Sequence, residues 1–300
     1  MVNNAEQLMK AAYDAENALF AEYGVTCKNH LIPVEQYGIK VRVTETGEGP
    51  PLIVIPGNVG EAYPFIPLLP ELYGRTVYLI NRPGGGMSGS VDYRQADFRQ
   101  LAVDTIKKVI DALSIKHADL VGHSIGGHWA LWFTTSHPEY VRTLALLGVP
   151  GGLPGTGVPI AMKFLHIPGV ETAVKRFARS RPGYIKVPES ICGPRVSDKM
   201  ADCRTAFMAL PDYLPSFFSM IKAEPVYRKQ ILSTESLRGV KTPAILIWGT
   251  NDPFGKPKAG RMIANTLPSG SFSEILGGSH LPWLNQPEQC GRLIRAFWET

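Results

Sequence analysis

Six short apolar runs punctuate this chain, at Leu52–Ile55, Thr76–Ile80, Ala118–Val121, Thr143–Leu147, Ala244–Trp248 and, more weakly, Ser271–Leu276. Helical periodicity occupies the intervals and the tail, at Glu61–Leu72, Ala96–Leu113, Ser124–His137, Gly260–Leu267 and Glu288–Trp298. A run that is apolar at every position has no solvent face, so both sides of such a strand must be covered. Strands of that kind alternating with helices imply an α/β architecture, with a mostly parallel central sheet and helices on both faces. Ligands of such sheets bind beyond the carboxyl ends of the strands. The loops that follow the apolar runs are therefore where chemistry is expected.

Three hundred residues with 44% hydrophobic and 19% charged content suit one large core carrying an insertion. Ahead of the sheet, Leu8, Ala11, Ala12, Ala15, Leu19 and Phe20 recur at helical spacing, which predicts an N-terminal amphipathic helix within residues 1–24, packed outside the main fold. The alternating segments His30–Glu35 and Ile39–Glu45, parted at Tyr37-Gly38, predict a β-hairpin. The α/β alternation breaks after Gly148, where a stretch rich in Gly and Pro runs to Pro159. Beyond it come short helical stretches carrying Phe164, Phe177, Phe207, Tyr213, Phe217 and Phe218, with Met162, Met200, Met208 and Met220. A helical lid over residues 151–235 is expected, inserted into a core made of residues 25–150 and 236–300.

The net charge of +5 is concentrated in that lid. Residues 151–235 hold 12 Lys/Arg against 7 Asp/Glu, while the rest of the chain is balanced. Lys175, Arg176, Arg179 and Arg181 would decorate one helix and its end; such a cluster reads first as a solvated face and second as an attractor of an anionic group. It comes without a nucleic-acid-binding pattern. Cys27, Cys192, Cys203 and Cys290 are scattered, with neither a Cys-x-x-Cys nor metal spacing, and read as free thiols, a Cys192–Cys203 pair being the alternative. The first residues lack the basic start and apolar region of a signal peptide, and no stretch reaches the ~18 apolar residues of a membrane span. A cytoplasmic protein acting on a small molecule, with no metal or cofactor, is expected; a homo-oligomer stays open.

One apolar run ends in Gly122-His123-Ser124-Ile125-Gly126, directly before a helical segment. A serine hydroxyl is a poor nucleophile unless the backbone presents it to a base, and a sharp strand-to-helix turn does so. Gly122 and Gly126 suit a turn where larger side chains would meet neighbouring backbone. A base and an orienting carboxylate are then required. Asp252 follows the run Ala244–Trp248, and His280 follows Ser271–Leu276, so each stands just past a strand. Other histidines fit less well: His117 precedes its strand, His30 lies in the hairpin, His128 and His137 belong to the helix after Ser124, and His166 is a lid residue suited to substrate contact. Two oxyanion donors are expected, the Ile125 amide at the open start of the helix and the Asn58 amide in the loop Pro56–Gly60. Candidate substrate contacts are His123, Phe164, Phe207, Phe217, Phe218 and Trp283.

With these residues in place the chain resembles lidded members of the α/β-hydrolase superfamily over about residues 30–300. The resemblance rests on Gly122–Gly127, on Asn81-Arg-Pro-Gly-Gly-Gly-Met-Ser88, on His137-Pro-Glu, on Trp248–Asp252 and on Gly278–Pro282. It departs from the family pattern in having Pro56-Gly57 for His-Gly, Asn81 for Asp, and Asn285 where an acid often stands. The resemblance implies a Ser124–His280–Asp252 triad and an acyl-enzyme route, foremost on a carboxylic ester or related acyl bond; the aromatics and methionines of the expected lid suggest a small to medium substrate with an apolar acyl or alcohol group. It also admits carbon–carbon bond hydrolysis, lactonase or aminopeptidase chemistry with the same triad, or ligand capture by a receptor that keeps the fold. Haloalkane dehalogenase and epoxide hydrolase chemistry is excluded, because both need an aspartate where Ser124 stands.

Overall fold

The computed structural model describes residues 4–57, 60–149, 152–180 and 197–299. Eight strands form one sheet: β1 (Lys28–Val34), β2 (Ile39–Thr46), β3 (Pro51–Ile55), β4 (Thr76–Ile80), β5 (Ala118–His123), β6 (Val141–Leu147), β7 (Ala244–Gly249) and β8 (Gly270–Ile275). Their spatial order is β1-β2-β4-β3-β5-β6-β7-β8. The hairpin β1–β2 is antiparallel and meets β4 antiparallel; every pairing from β4 to β8 is parallel. The strand order reverses beside β3 and β5, and the loops after these two strands face each other at that point.

The two-sided burial read from the apolar runs has a direct counterpart in the packing. In β7, Ala244, Leu246 and Trp248 enter one core while Ile245 and Ile247 enter the other. β3 and β6 divide in the same way, because side chains alternate faces along a strand. The first core is closed by α2 (Phe98–Ala112), α3 (Ile125–Ser136) and the helix Pro257–Thr266. The second is closed by the helix Pro287–Trp298, the segment Tyr63–Leu72 and the N-terminal helix α1 (Asn4–Glu22).

Tyr63–Leu72 is a 3₁₀ helix, where periodicity pointed to an ordinary helix. Pro64, Pro67 and Pro70 recur every three residues and supply no N–H, which starves an i→i−4 ladder and leaves the tighter turn. The N-terminal helix is also more deeply engaged than its amphipathic spacing suggested. Glu16 is buried and ion-paired with the equally buried Arg42 of β2 at 2.5 Å. The same helix packs on the helix Asp198–Met208 of the segment between β6 and β7, and Ser197 donates to Glu22 at 3.2 Å. It thus ties that segment to the core.

The segment between β6 and β7 is helical, with Ile160–Lys163, Val170–Ser180, Asp198–Met208, Tyr213–Lys222, Glu224–Tyr227 and Thr234–Arg238 among its described residues. Its Gly/Pro-rich entrance is pinned to the core: Thr156 bridges Gly255, and the Gly157 amide donates to the Phe254 carbonyl at 2.7 Å. Two carboxylates stitch the helices together. Glu171 pairs with Lys175 and Lys222, and Glu224 pairs with His166 at 2.9 Å and Arg228 at 2.5 Å. Arg181 and Cys192 lie outside the described residues, so the alternative of a Cys192 bridge does too; Cys203 is a buried free thiol.

Candidate active site

β5 is buried along its whole length and feeds straight into α3. The one residue between them, Ser124, takes φ 55° and ψ −129°, a conformation costly for a side chain with a Cβ. The turn survives because its surroundings demand it. The Ser124 amide donates to Leu147 and its carbonyl accepts from Gly127, and a Cβ at Gly126 would run into the Ile55 and Pro56 carbonyl oxygens. Ser124 stands at the cap of α3 without using its hydroxyl as a cap, which leaves Oγ available.

Oγ is hydrogen-bonded to His280 Nε2 at 2.9 Å, and His280 Nδ1–H donates to Asp252 Oδ2 at 2.8 Å. The second carboxylate oxygen of Asp252 accepts the Phe254 amide at 2.8 Å, so the acid is held at both oxygens. Ser124, Asp252 and His280 are each at least nine-tenths buried. Phe254 lies against the imidazole, ring centres 4.2 Å apart, and fixes its plane. Gly148, at φ +48°, leaves room for this pair: a Cβ there would come to 3.0 Å from Asp252 Oδ2. With Nδ1 protonated toward the carboxylate, Nε2 is free to accept the serine proton, as a general base must.

His123 is buried beside Ser124, its ring turned to the loop that carries His280. Its Nε2–H donates to the backbone carbonyl of His280 at 3.1 Å, and its ring meets Trp283 edge-on at 4.8 Å. Burial first, then the neighbouring His280, hold the imidazole well below its ordinary pKa, so it is neutral and braces the loop that carries His280.

A cleft opens above Ser124 between the core and the segment that joins β6 to β7. It is lined by Ile125, Val158, Met162, Met220, Ile221, Tyr227 and Phe254, together with His166 and Glu224. His166, expected as a substrate contact, borders the cleft; Met162 and Met220 border it as well, while Met200, named beside them in the sequence, is a buried core residue. The aromatic candidates fall elsewhere. Phe207 and Phe218 are fully buried packing residues, and Trp283 stacks on Phe65 at 4.5 Å while its indole N–H donates to Pro64. Phe164 is exposed and does not border the cleft, and Phe217 packs against the first core. An amphipathic lid helix buries one aromatic and exposes its neighbour, and composition alone does not say which faces the cleft. Of the proposed oxyanion donors, Ile125 stands first in α3, where amides have no intrahelical acceptor. Asn58 lies outside the described residues.

Sequence reasoning passed over Arg82 and Glu61, both buried just behind this site. Burial raises the Glu61 carboxyl to about 7 against the opposing pull of Arg82 and of a hydrogen bond from Tyr213. The signal for both was their place in short motifs, Arg82 between Asn81 and Pro83 and Glu61 directly after the Gly57–Gly60 turn.

A family model for the α/β hydrolase fold matches residues 50–287, and the chain belongs to that family. Curated relatives include the 2-hydroxy-6-oxononadienedioate/2-hydroxy-6-oxononatrienedioate hydrolase of Paraburkholderia phymatum, 28% identical over 274 residues, covering 86% of this chain and 91% of the relative. The Escherichia coli K12 enzyme of the same name is 27% identical over 286 residues, covering 90% and 95%. Among solved structures, carboxylesterase CesB of Bacillus subtilis aligns with a TM-score of 0.76 at 16% identity, over 97% of this chain and 98% of that one. The meta-cleavage product hydrolase CumD of Pseudomonas fluorescens aligns at 0.70 and 20% identity, over 91% and 97%. At such identities the structural likenesses speak for the fold alone.

Proposed function

We propose that this protein is a serine hydrolase that cleaves carboxylic esters of small to medium apolar acids through an acyl-enzyme. The observation that carries the reading is the hydrogen-bonded chain Ser124–His280–Asp252 at the floor of a mainly apolar cleft. His280 takes the Oγ proton as Ser124 attacks the ester carbonyl. Asp252 holds the imidazole and stabilises its charge. The oxyanion is met by the Ile125 amide at the open start of α3, with Asn58 kept from the sequence as the candidate for the second donor. His280 then returns the proton to the departing alcohol, and the same histidine activates water to release the acid. Residues 151–235 act as the lid that selects the acyl group.

A second reading, carbon–carbon bond hydrolysis of a dienone, is favoured by the names of the curated relatives. The mainly apolar described lining of the cleft supports the ester reading first.

Kinetics on p-nitrophenyl esters of increasing chain length, run beside a 2-hydroxy-6-oxodienoate, separate the two. Ester turnover exceeding dienone turnover by at least about tenfold in kcat/KM, over 1.4 kcal/mol of transition-state preference, is expected. Rapid dienone cleavage with negligible ester hydrolysis would replace the first reading by the second. Fluorophosphonate labelling of Ser124 in the folded protein is also expected; its absence would leave a ligand-binding receptor.

A further inference from the structure

The positive charge that the sequence concentrates between residues 151 and 235 has no task in the triad chemistry, and part of it stands beside exposed apolar side chains. Ile160–Lys163 is a turn of α-helix that runs straight into the 3₁₀ turn Phe164–His166, with Lys163 and Phe164 both in right-handed helical backbone. At helical spacing Ile160, Lys163, Phe164 and Ile167 share one face, and Met162 and His166 share the opposite one. The surroundings of the two faces differ accordingly. Met162 and His166 line the cleft over Ser124, whereas Ile160 is 73% exposed, Phe164 56% and Ile167 48%.

A single exposed apolar side chain needs no explanation, but three large ones on one short face form a patch, and such patches mark contact surfaces. The charges around it select the kind of surface. Lys163 stands within the patch and is itself exposed. Between residues 158 and 177 the one acid is Glu171, against Lys163, Lys175 and Arg176. Glu171 is already neutralised, by Lys175 of the helix Val170–Ser180 and by Lys222 of the helix Tyr213–Lys222, both of which pack on the 3₁₀ turn. A face that is apolar and edged with cations repels a second copy of itself. It fits an anionic lipid surface, where apolar side chains enter the acyl boundary and lysines reach the phosphates. No helix among the described residues is long and apolar enough to cross a membrane, so the contact is a peripheral one.

We propose that the face formed by Ile160, Lys163, Phe164 and Ile167 docks the protein on an anionic lipid surface, so that the segment touching lipid is the one whose inner side lines the cleft. Docking is read without turnover and so stands apart from the acyl-transfer reading. In the test, the full-length protein is sedimented with vesicles of phosphatidylcholine and phosphatidylglycerol in equal parts, and with vesicles of phosphatidylcholine alone. Binding to the mixed vesicles is expected, at least about fivefold weaker to phosphatidylcholine alone and weakened by added salt. The double variant Ile160→Ser with Ile167→Ser lowers binding to the mixed vesicles on the order of tenfold. Lys163→Gln lowers it about fivefold and leaves binding to phosphatidylcholine as it was. Leu31→Ser, which removes an exposed apolar side chain from β1, changes nothing.

Absence of co-sedimentation, undiminished binding by the folded double variant, or an equal loss in Leu31→Ser overturns the proposal. So does a wild-type dimer in analytical ultracentrifugation that the double variant does not form, if vesicles leave it intact; the face is then a self-association surface. Should the double variant fail to fold, Lys163→Gln and the salt dependence carry the test, and binding indifferent to both overturns it. A protein that binds vesicles but leaves every ester uncut would strike the acyl-transfer reading and keep the docking face.

Discussion

The carboxyl edge of the sheet and the helical segment above it, the proposed lid, are built on opposite principles. At the edge, each residue of the proposed triad is held through a backbone group: Ser124 by a strained turn between β5 and α3, Asp252 by the Phe254 amide, His280 by its own carbonyl, which accepts from His123. Little there can shift without a steric clash. The lid is joined to itself by long side chains, Glu171 to Lys222 and Glu224 to His166 and Arg228, and it meets the cleft with methionines. Such contacts are individually weak and adaptable. The difference teaches where this protein can vary: chemistry is fixed where backbone fixes it, and the shape of the acyl pocket rests on parts that can be exchanged.

The sharpest way to break this contrast is at the triad. Ser124→Ala and His280→Ala should abolish turnover, and Asp252→Asn should cost about 10⁴ in kcat, with melting temperatures close to wild type. Near-normal activity in any of the three would remove the edge from the chemistry.

Next in size is a steric comparison. Gly126→Ala forces a methyl group into the Ile55 and Pro56 carbonyls and should destabilise by about 3 kcal/mol or prevent folding. Gly157→Ala, at the lid's entrance with nothing within 4 Å, should stay within about 0.5 kcal/mol. Denaturant titrations showing equal effects would mean that the two regions are equally tolerant.

The pH dependence of stability sets two buried groups against each other. The folded state holds His123 neutral, so below its ordinary value near 6.5 the unfolded chain takes up the proton more readily, and stability is lost as pH falls. Glu61, raised by burial from 4.5 to about 7, stays protonated in the folded state while the unfolded chain has ionised. Its contribution is present below pH 4.5 and is lost as pH rises to 7. Glu61→Gln should therefore steepen the rise of the urea midpoint between pH 5 and 7, and His123→Asn should reverse it. An unchanged profile in Glu61→Gln would show that this carboxyl is already ionised throughout the window.

The smallest effect belongs to the lid. Lys222→Gln breaks a partly exposed pair with Glu171 and should cost no more than about 0.5 kcal/mol, vanishing in high salt. A loss comparable to that of Gly126→Ala, read in the same denaturant titration, would make the lid as rigidly built as the edge.

How legible each part was follows from the range of the forces involved. The parallel sheet could be read because residues such as Ile245, Leu246 and Ile247 are apolar in sequence order, whatever lies above and below them. The serine turn could be read because its residue pattern falls within five positions, although part of its steric demand comes from the Ile55 and Pro56 carbonyls. The substrate contacts could not. Phe207, Phe218 and Trp283 are as apolar as Met162 and Phe254, yet only the latter two border the cleft, a matter of which face each element turns inward. The 3₁₀ geometry of Tyr63–Leu72 was written in its proline spacing and was hidden by the apolar pattern laid over it.

By itself, then, the sequence determined the α/β class, the strand ends and the three residues that could meet beyond them, because those depend on local pattern and chain order. Tertiary structure alone decided that Ser124 Oγ lies 2.9 Å from His280 and that Arg82 reaches the Pro56 carbonyl. It also decided which lid residues line the cleft. These depend on packing between segments more than 25 residues apart in the chain, and no local pattern encodes the angle at which such segments meet.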